Sequence, residues 1–153
     1  MDNIILIGMP GVGKSTLGVI LAKVLGFQFL DAVLLIQKQE GKKLHEIIRD
    51  RGIDGFMEVE NRVNSSIVTD RTVIATGGSV VYCQEAIEHL RTIGKIVYLK
   101  VSLNALERRL GNLKRRGVIL KKGQTLKDLY EERVPLYEKY ADIVVDENGK
   151  DLE

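Results

Sequence analysis

The stretch Gly8-Met-Pro-Gly-Val-Gly-Lys-Ser15 decides the fold of this chain. It follows the apolar, β-branched run Asn3-Ile-Ile-Leu-Ile7, which favours a strand. Residues 15–25 come next, and their apolar side chains recur at helical spacing. A G-x-x-x-x-G-K-[S/T] pattern between a strand and a helix is typical of a loop whose backbone N–H groups surround phosphate oxygens. The sequence therefore predicts a site for a nucleoside triphosphate.

Each position of this phosphate loop has a chemical reason. Lys14 would reach the β- and γ-phosphates, and the Ser15 hydroxyl would bind Mg²⁺. The positive end of the helix that begins near Lys14 would add to the attraction. The alternative is a glycine-rich turn with an incidental lysine, but the flanking strand and helix favour phosphate binding. The predicted nucleotide-binding residues here are Gly8, Met9, Pro10, Gly11, Val12, Gly13, Lys14, Ser15 and Thr16.

Strands alternate with helices along the rest of the chain. The strands read as continuous apolar runs, which is typical of a parallel sheet covered by helices on both faces. Glycines at 41 and 52 interrupt a long helical stretch, and we expect the polar tail 146–153 to be loose. Further strands are predicted at 27–31, 72–76, 96–101 and 141–145, and helices at 33–39, 43–51, 53–69, 83–90, 103–110 and 125–140.

The composition excludes several classes of protein. The 153 residues suit a single domain, and a hydrophobic share of 44% is too high for a disordered chain. One cysteine cannot form an internal disulfide or a cysteine-based metal cluster. The longest apolar runs are too short to cross a bilayer, no basic secretory signal precedes the first strand, and a net charge of +2 gives no general attraction for polyanions. We expect a cytoplasmic protein without membrane or nucleic-acid partners.

The end of the third predicted strand helps to separate the classes of nucleotide-binding protein. A switch GTPase would carry an Asn-Lys-x-Asp stretch after a strand, and many ATPases have a strand that ends in Asp-Glu. This chain has no Asn-Lys-x-Asp stretch, and its Asp146-Glu147 pair follows the last predicted strand rather than the third, which ends in Thr76-Gly77-Gly78. Paired glycines let a ligand approach the backbone closely. An ordinary turn is the alternative interpretation.

Several features occur together in the order found in one family, and over residues 3–146 the chain resembles shikimate kinase. The resemblance implies a small P-loop kinase of aromatic amino acid biosynthesis, which moves the ATP γ-phosphate to the 3-hydroxyl of shikimate. It also implies a monomer that uses ATP and Mg²⁺. The features are the loop 8–16, Phe29-Leu-Asp31, Gly41, Phe56 with Glu60, Gly77-Gly78, Arg116 and Arg133-Val-Pro-Leu-Tyr137.

The resemblance implies an α/β, P-loop NTPase fold over the single domain 1–153. Its five-stranded parallel sheet would be flanked by helices, with a helical acceptor-binding segment at about 32–70 and a lid at about 111–124. The lid overlaps the stretch 108–122, which holds seven basic residues and no acid. A cationic flap over a triphosphate would neutralise charge and exclude water. A solvated basic loop is the alternative interpretation.

The resemblance also assigns roles to single residues. Asp31 could instead cap the following helix, and Arg133 could pair with its acidic neighbours on a solvated helix face. By resemblance, the catalytic residues are Lys14, Asp31 and Arg116, and Arg116 also binds nucleotide. The metal-binding residues are Ser15 and Asp31. The acceptor-binding residues are Asp31, Gly77, Gly78, Ser79 and Arg133.

Ser79 takes the place of a third family glycine, a mild departure that keeps a small side chain and adds a hydroxyl, and two further departures matter more. Val33 replaces an acid that binds acceptor hydroxyls, and Met57 replaces an arginine that binds the acceptor carboxylate. Losing one charge-assisted hydrogen bond costs about 1.5–3 kcal/mol, so the two losses predict acceptor binding weaker by about two orders of magnitude. Three nearby charged residues could compensate: Arg51, Arg62 and Glu58. A kinase for a less acidic hydroxylated metabolite and a non-catalytic ATP-binding protein are the alternative functions.

Overall fold

The computed structural model describes residues 2–109 and 123–147 and contains a sheet of five strands. The strands are β1 (Asn3–Ile7), β2 (Gln28–Asp31), β3 (Thr72–Ala75), β4 (Gly94–Lys100) and β5 (Ile143–Asp146). They lie in the order β2-β3-β1-β4-β5, and every neighbouring pair is parallel. The predicted five-stranded parallel sheet is confirmed.

Helices connect the strands. They are α1 (Lys14–Leu25), α2 (Ala32–Glu40), α3 (Leu44–Ser65), α4 (Gln84–Ile93), α5 (Leu103–Arg109) and α6 (Leu126–Tyr140), with a 3₁₀ turn at Val80–Tyr82. No helix in the two described ranges is long and apolar enough to span a membrane.

The strand order places a crevice at the carboxyl ends of β1 and β3. These two strands are neighbours, with Ile5 paired to Ile74. The chain leaves β1 towards β2 on one side of the sheet, and it leaves β3 towards β4 on the other. Loops that diverge from neighbouring strands open a binding crevice between them. The phosphate loop and residues 76–79 line this crevice.

A second apolar cluster holds the segment between β2 and β3 in place. The sheet residues Ile5, Ile7 and Ile74 are fully buried in the main core. The second cluster packs α2 against α3 and consists of Ile36, Ile47, Phe56, Val59 and Val63. It fixes the inner face of α3, which carries Phe56 and Glu60 to the rim of the crevice.

Helix α3 differs in part from the predicted boundaries. The expected interruption at Gly52 is confirmed, because this residue has φ 74° and ψ 179° inside the helix. The expected end at residue 69 is wrong. The helix ends at Ser65, and Ser66 donates its hydroxyl proton to the Val63 carbonyl at 2.7 Å. The apolar Ile67 then turns into the core, where it is 4% exposed, so its hydrophobicity reflects burial rather than helix.

The last strand and the tail also differ from the prediction. Strand β5 is not covered on both faces, because Ile143 is 52% and Val144 51% exposed at this edge of the sheet. Glu147 does not belong to a loose tail. Its backbone N–H donates to the Lys100 carbonyl at 2.8 Å, and its side chain is 7% exposed. Residues 148–153 lie outside the described residues, as do 110–122 with Arg116 and most of the predicted lid.

Candidate active site

A cavity of about 330 Å³ lies at the carboxyl edge of the sheet and contains most of the predicted site. The phosphate loop forms one side of it. The ends of β2 and β3, the inner face of α3 and helix α6 form the rest. Its walls are Pro10, Gly11, Gly13, Lys14, Ser15, Thr16, Asp31, Val33, Leu44, Phe56, Glu60, Thr76, Gly77, Gly78, Ser79 and Arg133.

The phosphate loop has the geometry of an anion site. Gly13 adopts φ 90° as it starts α1, a left-handed conformation that favours glycine. The Lys14 ammonium donates to the carbonyls of Gly8 at 2.6 Å and Met9 at 3.0 Å. The side chains of Met9 and Val12 are each 1% exposed in the core and do not line the cavity. These two residues can therefore offer only their backbones to a nucleotide.

Burial shapes the charge state of Lys14. Desolvation, with repulsion from Arg133 second, lowers the pKa of Lys14 from 10.5 to about 7. The carboxylates of Asp31, Glu60 and Glu147 act in the opposite direction. A bound triphosphate would add negative charge beside the ammonium group and favour its protonated form. The loop therefore holds a lysine whose charge depends on what occupies the site.

The two carboxylate oxygens of Asp31 have different hydrogen-bond partners. Oδ1 accepts the backbone N–H groups of Val33 at 3.0 Å and Leu34 at 3.1 Å, and so caps α2. Oδ2 accepts the Ser15 hydroxyl at 2.8 Å, across the mouth of the phosphate loop. The capping role is therefore confirmed, and the second oxygen contacts Ser15 at the cavity, where the site role of Asp31 stays a prediction.

The Ser15–Asp31 pair fits a magnesium ion. Hydroxyl and carboxylate oxygens are the ligands that Mg²⁺ prefers, and in kinase sites this ion takes one or two protein ligands together with substrate phosphates and water. Among residues 2–109 and 123–147, no group of three or more His, Cys, Asp or Glu side chains is placed to hold a metal by itself. The donor set therefore suits an ion that arrives with a nucleotide.

Arg133 is buried, so the solvated-face alternative is wrong. It is 2% exposed, and its guanidinium lies over the Tyr82 ring, 5.4 Å from the centroid. Its Nε atom is buried without a hydrogen-bond partner among the described residues. Arg133 lines the cavity, and a planar guanidinium at a cavity wall suits a planar carboxylate ligand.

The glycines after β3 are required by close approach. A Cβ atom at Gly78 would lie 2.8 Å from both Nη1 of Arg133 and Cδ of Pro10. The Tyr137 hydroxyl donates to the Gly78 carbonyl at 2.6 Å. Helix α6 thus fixes both the guanidinium and the backbone beside it.

Glu60 is a site residue to which the sequence interpretation gave no role. It is 1% exposed, and its Oε1 accepts the Ser79 hydroxyl at 2.5 Å. Burial raises the pKa of Glu60, against the Ser79 hydrogen bond and the charges of Arg133 and Lys14. Its position could have indicated burial, because it stands among Phe56, Val59 and Val63 on the apolar face of a helix.

Glu147 and Arg109 also lie by the phosphate loop. Arg109 Nη1 donates to the Gly11 carbonyl at 3.4 Å. Glu147 Oε2 is buried without a hydrogen-bond partner in the described part of the chain. Burial raises the pKa of Glu147, and Arg109 and Lys14 oppose the rise. A single acid in a polar tail gives no sequence signal for this placement.

The two residues that depart from the family pattern, Val33 and Met57, line different cavities, and the charged residues that could have compensated for them lie elsewhere. Val33 lines the cavity, whereas Met57 lines a neighbouring cavity of about 260 Å³ that also contains Arg133. Arg51 and Arg62 are largely exposed and both pair with Glu40, at 3.2 and 2.9 Å. Neither they nor the exposed Glu58 line either cavity, so they do not replace the missing charges.

Comparison with known proteins gives consistent matches. The family model described as shikimate kinase matches residues 10–153. A shikimate kinase from Clostridium botulinum is 38% identical, with 99% of this chain and 91% of the relative covered. One from Thermodesulfovibrio yellowstonii is 38% identical, with 97% and 87% covered. The solved structure of an Acinetobacter baumannii shikimate kinase in complex with shikimate has a TM-score of 0.85 and 32% identity, with 95% and 83% covered.

Proposed function

The chain belongs to the shikimate kinase family of ATP-dependent phosphotransferases, and on that premise we propose that its cavity joins a nucleotide site to a shikimate site. The observation that supports this most directly is the continuity of the cavity. The phosphate loop lines the cavity with Lys14 and Ser15, and the loop after β3 and helix α6 line the same cavity with Gly78 and Arg133. A γ-phosphoryl group and an acceptor hydroxyl held there would be close enough for direct transfer.

The phosphate loop supplies the nucleotide half of the proposal. The backbone of residues 8–16 would surround the phosphates, and Lys14 would leave the carbonyls of Gly8 and Met9 to neutralise charge that develops on the γ-phosphoryl group. Ser15 and Asp31 would hold Mg²⁺. When bound, this ion neutralises the β- and γ-phosphate oxygens. By resemblance, Arg116 is the lid residue that adds a further positive charge.

The acceptor half consists of a cation, a carboxylate and a bare backbone. Arg133 would bind the carboxylate of shikimate, since its guanidinium is buried at the cavity wall. Gly77 and Gly78 would let the ring approach the backbone. Asp31 would orient the reacting hydroxyl and accept its proton as the phosphoryl group is transferred. The monomeric state, the cytoplasmic location and the single-domain organisation stay predictions.

A coupled assay of ADP release tests the proposal. With Mg·ATP, we expect release that depends on shikimate, and ³¹P NMR should detect a phosphomonoester product. A panel of hydroxylated metabolites without a carboxylate tests the second candidate, which Val33 favours because it presents an apolar side chain to the cavity. Turnover with such a metabolite and none with shikimate would establish the second candidate. Tight Mg·ATP binding without turnover on any acceptor would refute both.

Asp31→Asn is expected to lower kcat by about a hundredfold, with little change in stability. Asparagine caps a helix as well as aspartate does, so the bonds to Val33 and Leu34 survive. The variant loses the negative charge that, in our proposal, binds Mg²⁺ and orients the reacting hydroxyl. Steady-state kinetics at several Mg²⁺ concentrations should show a higher requirement for the ion. Asp50→Asn, at an exposed ion pair on α3, is the matched control. Equal kcat in the two variants would remove Asp31 from the mechanism.

A further inference from the structure

A half-buried tyrosine, Tyr82, lies beside the guanidinium to which we assign the acceptor carboxylate. We propose that Tyr82 is a positioning residue, whose ring holds the Arg133 guanidinium in place for an acceptor that carries a carboxylate. The inference rests on the proposed function, because it takes the ligand of Arg133 from there. It makes the acceptor affinity of this chain depend on a side chain that does not itself line the acceptor cavity.

The turn that carries Tyr82 is anchored in the protein core. It follows β3 as the 3₁₀ turn Val80–Tyr82, and both Val80 and Val81 are buried in the main apolar cluster. The Tyr82 N–H donates to the Ser79 carbonyl at 3.0 Å and closes the turn. The burial of its two neighbours therefore fixes the backbone of Tyr82, and its side chain is left to contact other groups.

The Arg133 guanidinium contacts this segment at two places. A Cβ atom on Gly78 would lie 2.8 Å from Nη1 of Arg133, and Cζ of Arg133 lies 5.4 Å from the centre of the Tyr82 ring. A cation within about 6 Å of an aromatic centroid is attracted to the negative face of the ring. The glycine therefore lets the guanidinium approach the backbone, and the ring attracts it from the end of the turn.

Arg133 requires such a partner because its charge is buried without an ion pair. Among residues 2–109 and 123–147, no carboxylate forms a salt bridge with it. Glu60 attracts it and Lys14 repels it, and both line the same cavity. An aromatic face offsets part of the cost of burial and leaves the N–H edge of the guanidinium free, whereas a carboxylate would occupy that edge. A ring is thus a partner that keeps the donors available to a ligand.

The ring of Tyr82, rather than its hydroxyl, supplies this attraction. Burial raises the pKa of the Tyr82 hydroxyl, an effect that Arg133 opposes and Glu132 strengthens. The phenol is therefore neutral near pH 7, and its attraction for a cation comes from the π face. Phenylalanine should accordingly replace tyrosine at this position with little loss.

Tyr82 acts from outside the acceptor cavity. It lines the neighbouring cavity of about 260 Å³ together with Met57, and Arg133 lines both cavities. A ligand in the acceptor cavity would contact Arg133 but not Tyr82. The effect of Tyr82 on that ligand therefore passes through the guanidinium.

Tyr82→Leu tests the assignment by kinetics with Mg·ATP and shikimate. Leucine keeps an apolar side chain and removes the π face, so we expect KM for shikimate to rise about tenfold, with kcat and KM for ATP changed less than about twofold. Tyr82→Phe, which keeps the ring, should have a KM within about twofold of the original. Tyr140→Leu is the matched control, because Tyr140 also has a cation beside its ring, Lys139 at 5.2 Å, but lines neither cavity.

A double-mutant cycle separates positioning from general damage. Arg133→Met removes the charge and the planar donor, and it is expected to lower kcat/KM for shikimate by itself. Because Tyr82 acts through Arg133, adding Tyr82→Leu to this variant should change kcat/KM by less than about twofold. Unaltered Mg·ATP affinity shows that each variant is folded. Tyr82→Met, whose flexible side chain fills irregular space, is the variant without a ring if Tyr82→Leu fails this check.

The outcomes distinguish this inference from the proposed function. Absence of shikimate turnover by the unaltered protein would overturn both. With turnover present, a KM for shikimate in the variant without a ring equal to that in Tyr140→Leu would overturn the inference alone. Equal impairment of Tyr82→Phe and Tyr82→Leu would also overturn it, as would the same loss from Tyr82→Leu with and without Arg133.

Discussion

Lys14→Met is expected to lower kcat for phosphoryl transfer by about a thousandfold. The Lys14 ammonium group donates to two loop carbonyls, and the residue is only 8% exposed, so little water screens its charge. A charge that meets the transferred phosphoryl group in such a place contributes far more than a charge in water. Methionine fills a similar volume but carries no charge, so the loop keeps its shape and loses its electrostatic contribution.

Coupled ADP release at saturating ATP and acceptor measures this effect. Lys23→Met is the matched control, because Lys23 lies exposed in the last turn of the same helix. We expect the control to retain full activity. A Lys14→Met enzyme with more than a tenth of the original kcat would contradict the assignment of Lys14 to the transferring phosphate.

The same variant has a second signature in stability. The folded pKa of Lys14 is about 7, below the ordinary 10.5, so between these values the unfolded chain binds a proton that the folded chain releases. The contribution of Lys14 to stability therefore rises with pH through this window and is lost as pH falls towards 7. Denaturant unfolding of the nucleotide-free protein at pH 7 and pH 9 should show a smaller rise in Lys14→Met than in Lys23→Met.

Arg133→Ala is expected to raise KM for the acceptor about a hundredfold, because removing one partner of a buried charge pair commonly costs 2–5 kcal/mol. Arg133 is 2% exposed, and its buried Nε has no hydrogen-bond partner among residues 2–109 and 123–147. We assign that capacity to the acceptor carboxylate. Steady-state kinetics should show the change in acceptor KM, with a much smaller change in KM for ATP.

Removal of so large a buried side chain also threatens folding, so Arg133→Lys accompanies it. Lysine keeps the charge and loses the planar, two-pronged donor, and we expect KM for the acceptor to rise about tenfold. Arg51→Ala and Arg62→Ala serve as controls, since both arginines are largely exposed and pair with Glu40. If KM for the acceptor in Arg133→Lys equals that of these controls, Arg133 does not bind the acceptor carboxylate.

Much of the fold could be predicted because local and overall signals agree. The strand before Gly8, the glycines of the loop and the helical spacing after Ser15 all indicate one strand–loop–helix unit, and β1 and α1 form it. The burial of strand β5 was harder to predict, because its apolar residues indicate a buried strand while its position at the edge of the sheet leaves them exposed. Periodicity shows which residues are apolar but does not show whether another element covers them.

The candidate site also has a part that the sequence predicts and a part that it does not. The phosphate loop is contiguous in sequence, so its chemistry could be predicted from the motif. Glu60, Ser79 and Arg133 are far apart in sequence, and the sheet topology brings them to one cavity. Their burial and the 2.5 Å bond between Glu60 and Ser79 depend on tertiary packing, which a single sequence does not encode in any local pattern.

The shared duties of Asp31 have a consequence for protein engineering. One oxygen caps the start of α2, and the other accepts the Ser15 hydroxyl. Most substitutions in a randomised library at this position would therefore lose both the helix cap and the contact with Ser15. The side chains of Val33 and Met57 face cavities, and in the described structure neither forms a capping bond of this kind. A search for altered acceptor range should therefore fix residue 31 and diversify 33 and 57 together, and at 57 it should keep side chains that still pack against the two apolar clusters.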